Sequence, residues 1–480
     1  MRYDHVVVGS GISGLTAALI LSKRGAKVAI IERHSRTAPL IRRFKRGDVW
    51  CDPGLHYFGG FHASGSLSVL FSYLGLLDHV KALPLNPDGF DILSIRGQRE
   101  ISLPCGYDPL KDALSSHFPQ SGRIAEKYID TVRSINENTP FSNFHCSLNN
   151  LHNNPYQNIG LADFLKGIGT DREILEILGA YGYLLYGVEP EYAPLQIHAL
   201  VCGSLYQSAH IFVRGGDELV NACEAQLKKQ GVEVYCGTPV THLRIGDRRQ
   251  LVGVEMEGGE VLETASCICT IHPQLFLDLL PPKSIRPAYG SRIKNLENTF
   301  GPFVVFLDVE IVPEKISNSN YFYLDTGDRH RCIVFMVCNQ YKDNTGKNSL
   351  VVLRQCDKPF SSGEVPDERV YGEFKDRETQ VTLEETKRIF PELSGRYKVV
   401  EVATPYTLER YTGTVGGSTY GVKHSMKQSR LTPFTGIDGL YLAGQGITAP
   451  GIMGSMVSGF IATSYILGLE SLWKEVCEHR

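Results

Sequence analysis

The first thirty-two residues constrain the chain most. Val6-Val7-Val8 is a short β-branched run of the kind that forms a fully buried strand. Gly9-Ser10-Gly11-Ile12-Ser13-Gly14 follows at once, a G-x-G-x-x-G. Leu15, Ala18, Leu19 and Leu21 then recur at helical spacing, Gly25 ends that helix, and Val28-Ala29-Ile30-Ile31 reads as the next parallel strand. Glu32 closes it. The three glycines serve different ends. Gly9 permits the tight turn, Gly11 lets a pyrophosphate reach the backbone, and Gly14 lets helix and strand pack closely. The helix N-terminus offers free N–H groups to phosphates, and an acid at the end of the second strand can accept from ribose hydroxyls. A glycine loop alone is weak; here strand, loop, helix, strand and acid stand in the order that binds a dinucleotide.

Length and composition bound what surrounds that unit. With 480 residues, two domains are expected. Hydrophobic residues at 42% and charged residues at 21% describe an ordinary globular protein. A net charge of −3 argues against nucleic acid as a partner. Of the twelve cysteines only Cys267 and Cys269 are close in sequence, and no C-x-x-C occurs, so no metal site is expected and a reduced, cytoplasmic setting fits. The strand begins at about residue 4, where a targeting peptide would otherwise lie.

The basic stretch Arg42-Arg43-Phe44-Lys45-Arg46 has two readings: a solvated loop, or cations reaching the cofactor phosphates. Asp52-Pro53-Gly54-Leu55-His56-Tyr57-Phe58-Gly59-Gly60 combines glycines, which let backbone pass close to a flat ligand, with two possible proton donors. Its plainer reading is a glycine turn with an aromatic anchor. Residues 66–204 read as mainly helical. Asp217 is placed to cap the helix carrying Leu219, Val220, Cys223 and Leu227. Strand-like pieces alternate through 297–410. At the end, Leu440-Tyr441-Leu442 leads into Ala443-Gly444-Gln445, and Pro450-Gly451-Ile452-Met453-Gly454 opens a helix. Residues 446–469 are apolar, but nine of these 24 are Gly, Ser or Pro, which favours a buried helix starting on the cofactor over a membrane span.

Taken together, VVVGSGISGLTAALILSKRGAKVAIIER, DPGLHYFGG, VRGGDELVNAC…GVEVYCGTPVTHL and GSTYG…GLYLAGQGITAPGIMGSMVSGF resemble the two-domain flavoproteins related to amine oxidases and phytoene desaturases. Within these the chain is most similar to retinol saturase and the carotenoid cis–trans isomerases; Gln445, where many relatives carry an acid, leans that way. The resemblance implies an α/β fold with a discontinuous Rossmann-like FAD-binding domain (1–70, 205–290, 405–480) and an α+β substrate domain (71–204, 291–404). It implies FAD, with the loop Gly9, Ser10, Gly11, Ile12, Ser13 and Gly14 at the pyrophosphate, Glu32 at the adenosine ribose and Val240 at the adenine. Gly444, Gln445, Gly451, Ile452 and Met453 fall to the ribityl chain and flavin, and Arg33, Gly54 and His56 also to the cofactor.

The implied reaction is saturation or redox-neutral isomerisation of a C=C bond in an apolar, isoprenoid-like lipid, with an electron donor or acceptor as partner. Desaturase or amine-oxidase chemistry on the same fold is the alternative, and a lipid escort resembling GDP dissociation inhibitors is the non-enzyme one. Peripheral membrane contact, to collect a lipid, stays open. Saturation needs an acid, for which His56, Tyr57 and Tyr420 are the candidates; reference pKa values favour the histidine.

Overall fold

The computed structural model describes residues 1–151, 153–325, 327–338, 348–356 and 367–480. The organising element is an all-parallel five-stranded sheet in the order Glu233–Cys236, Val28–Glu32, His5–Val8, Cys267–Cys269, Leu440–Leu442. The inner strands Val28–Glu32, His5–Val8 and Cys267–Cys269 are mainly apolar and buried on both faces, as a sheet covered on both sides requires, while the edge strand Glu233–Cys236 is mostly exposed. Val7, Ile30 and Ile268 pack with the helices Ile12–Lys23 and Gly451–Leu467. Val6, Val8, Ala29, Ile31, Cys267 and Cys269 pack on the other side with Leu243, Val254 and Leu262. These last belong to a three-stranded antiparallel sheet, Val240–Ile245, Leu251–Met256 and Val261–Glu263.

Small residues bring the first and last helices together. A Cβ on Gly459 would lie 2.6 Å from the Ser13 carbonyl oxygen and 3.1 Å from Thr16 Cβ. The Ser13 hydroxyl donates to the Ser455 carbonyl at 2.7 Å. Two helix N-termini, more than 400 residues apart in sequence, therefore stand side by side at the carboxyl end of the parallel sheet.

A second sheet of seven strands has the order Tyr397–Ala403, Gly301–Val309, Asn348–Cys356, Ile333–Cys338, Asn320–Leu324, Asp91–Ile95, Arg99–Leu103. It is antiparallel except where Asn320–Leu324 pairs with Asp91–Ile95. Residues alternate cleanly between its faces. Phe303, Val305, Phe335 and Val352 pack under the helix Glu368–Ile389, through Phe374 and Leu383. Val304, Phe306, Phe322, Val334 and Met336 face a helical layer that includes Gly122–Asn138, Arg172–Tyr186 and Leu195–Gln207.

Besides its helices, the 66–204 segment gives two strands to the seven-stranded sheet and a third, Ala82–Pro84, to a small one. Two local expectations change. Asp217 does not cap its helix; Gly215 is the N-cap of Gly216–Lys229. The Asp217 carboxylate instead meets Arg43 at 3.1 Å and Arg42 at 3.4 Å. Arg42 also pairs with Glu224 and hydrogen-bonds Asn221 at 2.8 Å, so both arginines clamp their loop onto that helix rather than turning to a phosphate. Among the described residues no helix is long and apolar enough to cross a membrane.

Candidate functional site

The glycine loop divides its work as the residue types require. Gly9 has φ +96, and a Cβ there would lie 2.6 Å from Thr270 Oγ1. A Cβ on Gly14 would lie 2.0 Å from the Gly9 carbonyl oxygen, so this glycine is needed for the turn and helix to pack. Gly11 differs: its φ of −62 suits any residue and nothing lies within 4 Å of a Cβ placed there. The space beside Gly11 is open, as close approach by a ligand demands. The helix that follows has no side-chain cap, which leaves its first N–H groups available.

Glu32 is buried at the end of its strand. The Ser10 N–H and hydroxyl donate to its Oε2 at 2.9 and 2.6 Å, and the His34 N–H donates to Oε1 at 3.0 Å. A carboxylate has about four acceptor positions, so one remains for a ribose hydroxyl. The Ala38 N–H in turn donates to Ser10 Oγ at 2.9 Å, which fixes that side chain. The Thr238 N–H donates to the Glu32 carbonyl at 3.0 Å, and this brings Val240, two residues on, towards the same end of the sheet. Arg33 is exposed and donates to the Arg410 carbonyl at 3.4 Å.

The C-terminal loop repeats the construction. A Cβ on Gly454 would lie 2.1 Å from the Ala449 carbonyl oxygen, while Gly451, at φ +84, faces open space. The helix Gly451–Leu467 also starts without a side-chain cap. Gly444 has φ +127 and its N–H donates to the buried Ser458 hydroxyl at 2.9 Å. His424 Nε2 donates to the Gln445 carbonyl at 2.7 Å.

From this place a cavity of about 620 Å³ runs towards the second sheet. Ile12, Gly54, His56, Gln445, Gly451 and Met453 line its near end, and Ile452, Tyr57 and Tyr420 are also in its wall. Gly54 is packed against the Leu40 carbonyl, 2.8 Å from where its Cβ would stand. The far end is the inner sheet face: Pro302, Val304, Phe322, Val334, Met336 and Leu353. Among the described lining residues the one fixed charge is Arg430, a residue that sequence reasoning missed inside the polar run MKQSR. Arg430 is exposed as a whole, but partial desolvation of its guanidinium against the cavity wall holds it below the ordinary value, and among the described residues it has no ion pair or hydrogen-bond partner. Gly9, Ser10, Gly11, Ser13, Gly14, Glu32, Arg33, Val240 and Gly444 are not in the cavity wall; all but Arg33 and Val240 are in, or bonded to, the two loops at the carboxyl end of the parallel sheet.

The three candidate acids stand differently. His56 Nδ1 is buried and unpartnered, and burial pushes the imidazole down to about 4, so it is neutral near pH 7 and the imidazolium that would give up the proton is scarcely populated. The Tyr420 hydroxyl donates to the Leu184 carbonyl at 2.6 Å. The Tyr57 hydroxyl donates to Asp91 at 3.0 Å. Burial raises both phenols.

The dinucleotide-shaped features have counterparts among known proteins. The family model described as flavin containing amine oxidoreductase matches residues 12–467. The chain is 24% identical to the all-trans-retinol 13,14-reductase of Danio rerio, over 97% of this chain and 86% of that protein. It is 23% identical to the chloroplastic prolycopene isomerase 1 of an Oncidium hybrid cultivar, over 98% and 85%. The crystal structure of an oxidoreductase from Methanosarcina mazei shares the fold, with a TM-score of 0.66, 15% identity and coverage of 96% and 99%. A match from residue 12 to residue 467 takes in both helix N-termini and everything between them, which sets the escort reading aside: the chain belongs to the flavin containing amine oxidoreductase family and is an oxidoreductase.

Proposed function

We propose that the chain binds FAD and uses it to add or remove hydrogen at a C=C bond of an apolar, isoprenoid-like lipid, or to isomerise such a bond. The FAD domain is the discontinuous one, 1–70, 205–290 and 405–480, with the substrate held against the rest. Gly11 and the Ile12–Lys23 N-terminus take the pyrophosphate, Glu32 the adenosine ribose and Val240 the adenine. Gln445, Gly451, Ile452 and Met453 lie along the ribityl chain and flavin. The open space at Gly11 and Gly451, the two uncapped helices and the orphaned His56 Nδ1 fit such a group. FAD so bound supplies two-electron chemistry.

The observation that carries the lipid reading is the composition of the cavity wall. Its far end is an apolar sheet face, and the only fixed charge among its described residues is a cation, Arg430. A protonated amine would meet no carboxylate there and one like charge. An apolar chain fits, and the wall keeps water from the reacting carbons. The names of the retinol reductase and prolycopene isomerase relatives point the same way. The chain collects its substrate by peripheral contact with a lipid surface. The test is anaerobic reduction of the bound flavin, then product analysis on a panel of retinoids, carotenoids, other polyene lipids and amines. Turnover of lipids is expected. Saturable turnover of amines, with none of lipids, would replace this reading by amine oxidation.

A further inference from the structure

Asp91 is fully buried at the start of the strand Asp91–Ile95. Three neutral donors hold its carboxyl group. Tyr57 and Tyr181 hydroxyls donate to Oδ2 at 3.0 and 2.6 Å, and Asn320 Nδ2 donates to Oδ1 at 2.8 Å. The titratable groups around it are Tyr57 from the glycine-rich loop, Tyr181 from Arg172–Tyr186, Cys202 from Leu195–Gln207, and Cys105 beyond Arg99–Leu103. Among the described residues no lysine, arginine or histidine pairs with it. A buried carboxylate without a counter-charge is costly. An asparagine would accept from the same donors without that cost. Of the three donors, only Tyr57 also lines the cavity.

We propose that Asp91 is the proton reservoir behind Tyr57, and that the proton accompanying hydride transfer crosses the cavity wall through the Tyr57 hydroxyl. The inference rests on the lipid reading above. In the reducing direction, a two-electron reductant of the reduced-flavin class provides hydride to one alkene carbon. The Tyr57 O–H bond breaks as its proton bonds to the other carbon. The Asp91 O–H bond then breaks and the Tyr57 O–H bond re-forms. Asp91 is left as carboxylate and takes a proton from water after product leaves. The alkene is reduced and the flavin oxidised; in the oxidising direction the same bonds form and break in reverse. Asp91 also sets which way the phenol points. When ionised it holds the Tyr57 hydrogen, and the cavity meets only lone pairs. When protonated it can donate to the Tyr57 oxygen, and the Tyr57 hydrogen is free to face the substrate. Tyr57 is the catalytic residue and Asp91 the positioning residue.

Burial pushes the Asp91 carboxyl up to about 6, against the pull of its three donors, which puts its titration within experimental reach. The test uses flavin-loaded protein and two readouts. Infrared spectra follow the Asp91 carboxylic-acid carbonyl band, assigned as the band that Asp91→Asn removes. It should vanish as pH rises through about 6. Tyr57→Phe deletes a donor to the charged form, so the band should persist to higher pH. In single-turnover reduction of a lipid substrate, the wild-type rate should fall across the same pH window. Tyr57→Phe should lower it roughly a hundredfold or more, with a flattened profile and unchanged flavin content. A band that does not titrate between about pH 4 and 8, or Tyr57→Phe protein with the wild-type rate and profile, overturns the proposal. If Asp91→Asn fails to fold, Tyr57→Phe still decides it. Should wild-type protein convert no lipid, the lipid reading fails, and the infrared response to Tyr57→Phe alone decides the pair.

Discussion

Gly11→Val and Gly14→Ala are neighbouring substitutions with opposite expected failures. At Gly11 the backbone angles are φ −62 and ψ 173, which any residue adopts, and no atom lies within 4 Å of a Cβ. The fold therefore loses only the difference between glycine and valine at an N-cap, about 1 kcal/mol. The methyl groups fill the open space where the proposed pyrophosphate would approach the helix N–H groups. Loss of two charge-assisted hydrogen bonds at roughly 1.5–3 kcal/mol each weakens FAD binding by about 10²–10⁴-fold. At Gly14 the new Cβ stands 2.0 Å from the Gly9 carbonyl oxygen, so turn and helix must separate by more than an ångström. Overpacking of that kind costs about 1–3 kcal/mol or more, and it falls on the centre of the parallel sheet. The assay is purification of both variants, circular dichroism for fold, flavin-to-protein absorbance ratio, and fluorescence titration of deflavinated protein with FAD. Gly11→Val should be folded and colourless; Gly14→Ala should be thermally weakened before any FAD is added. Gly11→Val protein that binds FAD as tightly as wild type would refute the assignment of the pyrophosphate to this loop, and a fully stable Gly14→Ala would refute the packing argument.

Gly459→Leu should wedge the first and last helices apart at Ser13 and Thr16, with loss of stability by about 1–3 kcal/mol and loss of flavin, read by thermal unfolding and absorbance. His56→Ala should leave the flavin spectrum in place and substrate-dependent flavin reoxidation near the wild-type rate, because the proton comes from Tyr57; a slowing of roughly a hundredfold would make His56 the acid and refute that assignment. Stability should fall on acidification. Burial holds His56, His198 and His272 at about 4, 3 and 4, so the unfolded chain binds more protons than the fold from about pH 6.5 downwards. Asp91, raised to about 6, works the other way between about pH 4 and 6 but is a single group against three. A net loss on the order of a few kcal/mol between pH 7 and 4 is expected, and a urea midpoint that stays constant over that range would contradict it.

The parts of the fold legible in the sequence are those whose instructions are local. Residues 5–32 carry strand, turn, helix and acid in one run, and the two loops at the sheet end use glycine for reasons that a Cβ test reproduces at Gly14 and Gly454. The strands Asp91–Ile95 and Arg99–Leu103 pair with each other as a local hairpin, but half of their residues are polar, and the strand that ties Asp91–Ile95 into the sheet, Asn320–Leu324, lies more than 200 residues away, so neither reads as a buried strand from its own stretch. The burial of Asp91 was invisible for the same cause. An aspartate in DGFDILS reads as a surface residue until Tyr57, Tyr181 and Asn320 converge on it. Arg42 and Arg43 could not be assigned from a basic run alone, since the acids that hold them sit on a helix near residue 220. Arg430 looks like one more cation in a polar loop, and only the cavity behind it gives it a different standing.

The contact between Ser13 and Gly459 also sets a timetable. A ribosome adds about 5–20 residues per second, so the first helix waits roughly 20–90 s for the last one. Throughout that interval Ser13, Thr16 and Ala17 have no Gly459 to pack against, and the outer strand Leu440–Leu442 is missing from the sheet. The proposed FAD site, between two helix ends, cannot close until the second has been made. On that proposal capture of flavin is a late event in the life of the nascent chain, and a chain that stalls before residue 440 carries an exposed, greasy helix surface.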